Sequence, residues 1–335
     1  MNPEISVIIP AYNTEKYIAK AIKSVLQQTI DNLEIIIVDD ASSDWTVAIA
    51  KSFTNSRVKV LVNSENLGAA AARNRAIREA TGKWIAVLDA DDWYAPERLE
   101  KLVHIASTEN ADMIADDLYL IKEGEDDPWS TLIKESGECI RSTKQIDSVY
   151  FVETDVYGQR GLHLGISKPL FRREFLIQNH IQYDPSVRMG QDFWLSLTCL
   201  VRGARFLLVP EPYYFYLSRS GSLVYGSKIA RLTQSCHKLA DFVEEEDIAT
   251  KQPRLYTALS RNYTVFKRYL SYYSVIEPLK KKKWLTALKE MLKNPYFFIH
   301  LLLRIPGIVN RRIQRYLLGN EASYEMFYRS KKTKT

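Results

Sequence analysis

Residues 5–40 read ISVIIPAYNTEKYIAKAIKSVLQQTIDNLEIIIVDD, and the change of periodicity within them decides the fold class. Ile5 to Pro10 and Leu33 to Asp40 are short runs of Ile, Val and Leu, the composition of strands covered on both faces. Between them Tyr17, Ile18, Ala21, Ile22, Val25 and Leu26 recur at helical spacing, which gives one apolar stripe to lay on a sheet. Asn13 or Thr14 is placed to cap that helix.

The alternation continues outward, with further strands at Val58 to Asn63 and Lys83 to Asp89. An Ala-rich helix from about Gly68 to Thr81 closes at Gly82, and Pro96 fits the first turn of a helix from about Ala95 to Glu109. Such an order predicts an α/β fold with a mostly parallel central sheet flanked by helices. Glu123 to Ser142 is acidic and turn-rich and reads as a loop or a join, while the chain from Gln234 onward reads as a basic helical extension. The expected divisions are 1–120, 121–230 and 231–335.

With 335 residues, 46% apolar and 26% charged, the chain can bury a sizeable core and is not disordered. Cys139, Cys199 and Cys236 are odd in number and widely spaced, which predicts a reducing compartment rather than a disulfide framework. Met1-Asn2-Pro3-Glu4 leads into the first strand without a basic region or cleavage site, so a cytoplasmic location is expected. The net charge of +6 is uneven. Residues 251–335 hold 19 Lys/Arg against 4 Asp/Glu, leaving 27 against 36 in the rest. A basic tail on an acidic body suits an anionic surface.

In an open α/β sheet, ligands sit beyond the carboxyl ends of the strands. Those ends are polar here: Pro10-Ala11-Tyr12-Asn13, Asp39-Asp40 and Asp89-Ala90-Asp91-Asp92. Because strand side chains alternate, Asp89 and Asp91 are expected to point the same way with Cα atoms roughly 6.5–7 Å apart. Carboxylates without His or Cys favour a hard cation, Mg²⁺ or Mn²⁺, completed by water and phosphate oxygens. No G-x-G-x-x-G follows the first strand, which argues against a dinucleotide-binding oxidoreductase.

The runs ISVIIPAYN at 5–13, EIIIVDDASSDWT at 34–46, NLGAAAARNRAI at 66–77 and WIAVLDADDWYAPERL at 84–99 resemble the family 2 glycosyltransferases of GT-A fold, in the family's order. The resemblance implies a nucleotide-sugar-binding half at 1–120 and an acceptor-binding half at 121–230. It implies that Pro10, Ala11 and Tyr12 cradle the donor base, that Asp40 accepts a hydrogen bond from its edge, and that Arg73 lies near the donor. Asp89 then binds the ribose or assists at the metal, and Asp91 coordinates the cation. SKPLFRREFL at 167–176 and YDPSVRMGQDFWLSL at 183–197 resemble the acceptor side, where the usual Glu-Asp pair reads Gln191-Asp192. Asp192 is the expected general base, and Gln191 cannot serve as one. YYFYLSRSGSLV at 213–224 resembles the closing strand and loop, with Arg219 and Ser222 at the diphosphate.

The implied activity is inverting, non-processive transfer from a nucleotide-sugar donor, a UDP-sugar by family weight, to a saccharide or lipid-linked saccharide. A silent nucleotide-sugar-binding protein and a nucleotidyltransferase are the alternatives. Lys280 to Trp284 and Tyr296 to Leu303, bounded by Arg311-Arg312, further suggest interfacial helices over 280–316 on an anionic membrane, with peripheral attachment at its inner face; a helical subdomain packed on the core is the alternative. The apolar run is too short to span a bilayer, and no nucleic-acid motif accompanies the charge.

Overall fold

The computed structural model describes residues 3–125, 127–219, 227–294, 296–299 and 301–302. Strand β1 (Ile5–Ala11), helix α1 (Ile18–Leu26), β2 (Leu33–Asp39), α2 (Thr46–Lys51), β3 (Val58–Val62), α3 (Ala69–Glu79) and β4 (Trp84–Val87) follow the predicted alternation. Next come β5 (Trp93–Tyr94), α4 (Arg98–Thr108), β6 (Met113–Lys122), β7 (Ser130–Thr131), α5 (Leu132–Ser136), β8 (Lys144–Ile146) and α6 (Ser148–Thr154). A 3-10 turn at Leu164–Ile166 leads to β9 (Leu170–Arg172), α7 (Arg173–Gln178), α8 (Gln191–Val201) and the long β10 (Phe206–Ser218). Helices α9 (Lys228–Glu245), α10 (Ile248–Lys251), α11 (Pro253–Lys280) and α12 (Trp284–Lys293) complete the described elements.

One sheet runs β3-β2-β1-β4-β9-β6-β10-β5, with β7 beside β6 and β8 beside β10. β1 pairs in parallel with β2 and β4, and β2 with β3, so the first half is the expected parallel sheet. β1 and β2 are buried at Ile5, Val7, Ile8, Ile9 and Ile35 to Val38, as the unbroken apolar runs require, while the edge strand β3 is only partly covered. β9 is inserted antiparallel between β4 and β6, and β6 pairs in parallel with β10. The start of β9 therefore lies at the same sheet edge as the ends of β1, β2 and β4. That edge carries the site.

Gly82 turns the chain into β4 against β1, and a Cβ there would stand 2.6 Å from the Ser6 amide nitrogen. Only glycine permits that approach. Three local expectations are corrected. No side chain caps α1: the Thr14 carbonyl accepts from the amides of Tyr17 and Ile18, while Asn13 turns its Oδ1 to the Ser43 amide. β4 ends at Val87, so Asp89 to Asp92 form a turn closed by the Asp92 amide on the Asp89 carbonyl, and strand alternation does not orient the acidic residues. The acidic stretch after Glu123 contains β7 and α5. In α5 the Thr131 hydroxyl accepts from the Lys134 amide as cap, and Gly137 ends the helix at φ 81°.

The chain divides into two compact units, residues 1–219 with 248–258, and residues 220–247 with 259–335. Within the second, Val275, Ala287 and Phe297 form a small core. Among the described residues no helix is long and apolar enough to cross a membrane.

Candidate active site

Loops at the carboxyl ends of β1, β2 and β3 are tied together by carboxylates. Asp39 accepts from the Ser42 amide and hydroxyl, which stops β2 and turns the chain. Asp40, only 2% exposed, accepts from Asn63 Nδ2 at 2.7 Å, the Leu67 amide at 3.0 Å and the Gly68 amide at 2.7 Å. Gly68 takes φ 90° in front of α3, a conformation glycine adopts without strain. A carboxylate offers about four lone-pair sites, so Asp40 retains one beyond those three bonds. Pro10 and Ala11 end β1, and the Tyr12 ring after them is 49% exposed.

At the end of β4, Asp89 meets the second half of the chain. Its Oδ1 accepts from Arg73 Nη2 at 2.6 Å and its Oδ2 lies 3.0 Å from Lys168 Nζ. Lys168, 5% exposed, donates the same ammonium to Asp192 Oδ2 at 2.5 Å. Arg73 Nη1 lies 3.9 Å from Asp192 Oδ1 and donates to Gln191 Oε1 at 2.7 Å. Two carboxylates and two cations thus alternate around a ring. Burial pushes the Asp89 carboxyl up, but Lys168 and Arg73 together hold it far below the usual carboxylate range. Burial opposes the charge on Lys168 and Arg73, and the carboxylates of Asp192 and Asp89 overcome it, raising both.

Asp192 lies in the first turn of α8, behind Gly190 in the left-handed conformation. It does not cap that helix: its Oδ1 accepts from the Tyr183 hydroxyl at 3.1 Å and its Oδ2 from Lys168. The Tyr183 main chain is clamped to α3, because Asn74 Nδ2 donates to its carbonyl at 2.7 Å and Asn74 Oδ1 accepts from its amide at 2.9 Å. The Arg73 guanidinium lies over the Tyr183 ring, 5.1 Å from its centroid. Gln191 takes up Arg73 with its oxygen and donates its amide to the Val187 carbonyl at 2.7 Å. An uncharged residue suffices there, since Arg73 already has Asp89 and Asp192.

Asp91 stands apart. Burial raises its carboxyl, the neighbouring Asp89 charge adds to this, and Arg219 counters it through Nε on Asp91 Oδ2 at 2.6 Å. Arg219 follows β10 and lies 4.9 Å over the Tyr17 ring. Asp92 is buried and structural, accepting from the Tyr214 hydroxyl at 2.6 Å and the Leu217 amide at 2.8 Å. Among the described residues no group of three or more His, Cys, Asp or Glu is placed to hold a metal ion. The candidate donors are Asp91, which meets Arg219, and the neighbouring Asp89, which meets Arg73 and Lys168. One or two carboxylates completed by substrate phosphates suit Mg²⁺ or Mn²⁺. The residues fit a substrate-borne cation and not a protein-only cage.

The structure gathers Arg73, Asp89, Asp91, Asp192 and Arg219 in one site, and Ser222 lies outside the described residues. Arg73 is not a surface partner of Glu79, which pairs with Lys59. Sequence reasoning missed Lys168 and Tyr183. Both fall inside quoted runs, but a lysine before Pro-Leu-Phe has no sequence sign of burial. Its position follows from the register of β9 on β4, Leu170 opposite Ala86 and Arg172 opposite Trp84, which carries the residues before β9 to the Asp89 turn.

A parallel sheet ending in an acidic turn, with a helix-borne carboxylate tied to it by two buried cations, defines a group-transfer enzyme of the GT-A class. The chain belongs to glycosyl transferase family 2, whose family model matches residues 6–177. It is 30% identical to the succinoglycan biosynthesis protein ExoO of Rhizobium meliloti (strain 1021), over 94% of this chain and 88% of that protein. It is 34% identical to ExoU of the same organism, over 66% of this chain and 64% of that one. Among solved structures it resembles S. aureus TarS 1–349 in complex with UDP-GlcNAc, with TM-score 0.62 at 18% identity over 91% of this chain and 92% of that one. It also resembles the mannosyltransferase PcManGT from Pyrobaculum calidifontis in complex with GDP-Man and Mn²⁺, with TM-score 0.55 at 18% identity over 95% and 86%. The fold is the GT-A fold, and the chain is a glycosyltransferase.

Proposed function

We propose that this enzyme transfers a sugar, with inversion, from a nucleoside-diphosphate sugar to a hydroxyl of a saccharide or lipid-linked saccharide, in the synthesis of an exopolysaccharide, surface polysaccharide or glycolipid. The observation that carries the reading is the ring of Asp89, Lys168, Asp192 and Arg73, which fixes a candidate base beside the acidic turn. The names of the relatives support the pathway class, and the nucleotide sugars bound by structural neighbours support the donor class.

Pro10, Ala11 and the exposed Tyr12 ring would hold the base, with the remaining lone pair of Asp40 turned to its edge. Uridine is the proposed base. Asp91, with Asp89 beside it, would hold Mn²⁺ or Mg²⁺, which when bound neutralises charge on the diphosphate leaving group. Arg219, freed from Asp91, would then turn to the diphosphate with Ser222.

Asp192 is the proposed general base. Its two hydrogen bonds, from Lys168 and Tyr183, leave acceptor capacity for an incoming hydroxyl. Removing that proton while the oxygen attacks the anomeric carbon opposite the nucleotide gives inversion without an enzyme nucleophile. Positioned base catalysis contributes about 10²–10⁴ in rate.

A thermal-shift panel of nucleoside diphosphates and their sugars, with and without Mn²⁺, tests the donor half. Metal-dependent stabilisation that disappears in Asp91→Ala is expected, and stabilisation indifferent to metal and to that substitution overturns the metal assignment. Product anomers followed by NMR test inversion.

A further inference from the structure

We propose that the outer face of α12, together with Tyr296, Phe298, Ile299 and Leu302, is a docking surface for the anionic phospholipid bilayer. Helix α12 already has an inner face: Ala287, 1% exposed, and Met291 pack with Val275, Tyr272, Ile276 and Leu279 of α11. Folding of this unit therefore does not call on the other apolar residues of the helix. Yet Trp284, Leu285, Leu288 and Leu292 all stand in solvent, Leu285 at 85% and Leu292 at 80% exposure. At 3.6 residues per turn these four fall on one stripe adjoining the inner face, so the apolar arc spans about 160° of the helix, about 100° of it exposed.

Apolar exposure recurs after α12. Phe297 packs into the small core, whereas Tyr296, Phe298, Ile299 and Leu302 are exposed. Eight exposed apolar side chains between residues 284 and 302 are not the scattered exposure of a soluble surface.

Charge selects the occupant. Lys280 to Lys283 are exposed at the head of α12, and the exposed Lys289 and Lys293 border the leucine stripe. Residues 280–294 hold six lysines and one acidic residue, Glu290, which lies 4.0 Å from Lys293. Leucines flanked by lysines, with a tryptophan at the boundary, match a layer that is apolar inside and anionic at its surface. A nucleic acid would use the lysines and leave the leucines wet. A second copy of the chain would set lysines against lysines.

The full chain should co-float with phosphatidylcholine vesicles containing phosphatidylglycerol and not with phosphatidylcholine alone, and high salt should weaken the association. In L285S/L288S/L292S, partition should fall by about tenfold or more. All three positions are exposed, so the variant should keep the wild-type melting temperature and nucleotide response. Equal flotation of wild type and variant, or equal affinity for both vesicle types, overturns the proposal. So does light scattering that shows a wild-type dimer which the triple variant converts to a monomer, because the stripe then joins two copies of the chain.

Discussion

Lys168 holds one ammonium between the carboxylates of Asp89 and Asp192, and its burial makes it intolerant of replacement. Lys168→Met leaves two partly buried carboxylates with Arg73 alone. Chemical denaturation should show a loss of about 2–3 kcal/mol, at the lower end of what an uncompensated buried charge costs because both carboxylates keep some water. Turnover should fall as well, since Asp192 loses a donor that aims it. Asp40→Ala leaves the Leu67 and Gly68 amides without their acceptor. A stability loss of about 1–3 kcal/mol is expected in the same assay, with weaker nucleotide binding. These two residues mark the reach of sequence reading. Asp40, Asp89, Asp91 and Asp192 stand at strand ends or in family-like runs and could be picked out directly. Lys168 and Tyr183 acquire their roles from an antiparallel insertion and a clamp to Asn74, which no local spacing encodes.

At the level of elements, β1, β2 and β4 follow from their apolar runs because the sheet is covered on both faces there, the half-buried edge strand β3 follows from its valines, and three of the early helices follow from the side they lay on the sheet. The short pieces between Glu123 and Arg172 do not, since β7, β8 and β9 have two or three residues each and too few for a period to show. Here the 3-10 turn at Leu164–Ile166 packs against α8, and a polar pair holds it. Asp155 receives the His163 ring at 2.9 Å on Oδ1 and the Gly165 amide at 2.8 Å on Oδ2. Burial opposes the imidazolium, but the Asp155 hydrogen bond and charge outweigh it and raise His163 above its ordinary 6.5. A raised folded-state value gives stability that is fully present below pH 6.5 and is lost as pH rises through the folded pKa. NMR titration of His163 should show the raised value, and Asp155→Asn should return it to 6.5 or below. A Cβ at Gly165 would stand 2.6 Å from Asp155 Oδ2 and 2.9 Å from Phe193, the neighbour of Asp192. Gly165→Ala should thus cost about 1–3 kcal/mol and lower kcat, read by denaturation and turnover together.

At the scale of the molecule, the charge count changes sign near residue 251, and the described chain beyond residue 227 is helical, as α9 to α12. Which apolar residues of the extension would pack was not readable, because Ala287, Met291, Leu285 and Leu292 belong to one continuous arc and only the placement of α11 divides it. The catalytic reading is tested on the first unit. There Asp192, held by Lys168 and Tyr183, is the proposed base for the acceptor proton. The most direct measurement is nucleoside-diphosphate release from a saturating nucleotide sugar by wild type and Asp192→Asn, with donor affinity followed alongside. The base role of Asp192 requires near-unchanged affinity and release slowed by about 10²–10⁴. Release by Asp192→Asn at the wild-type rate would contradict it.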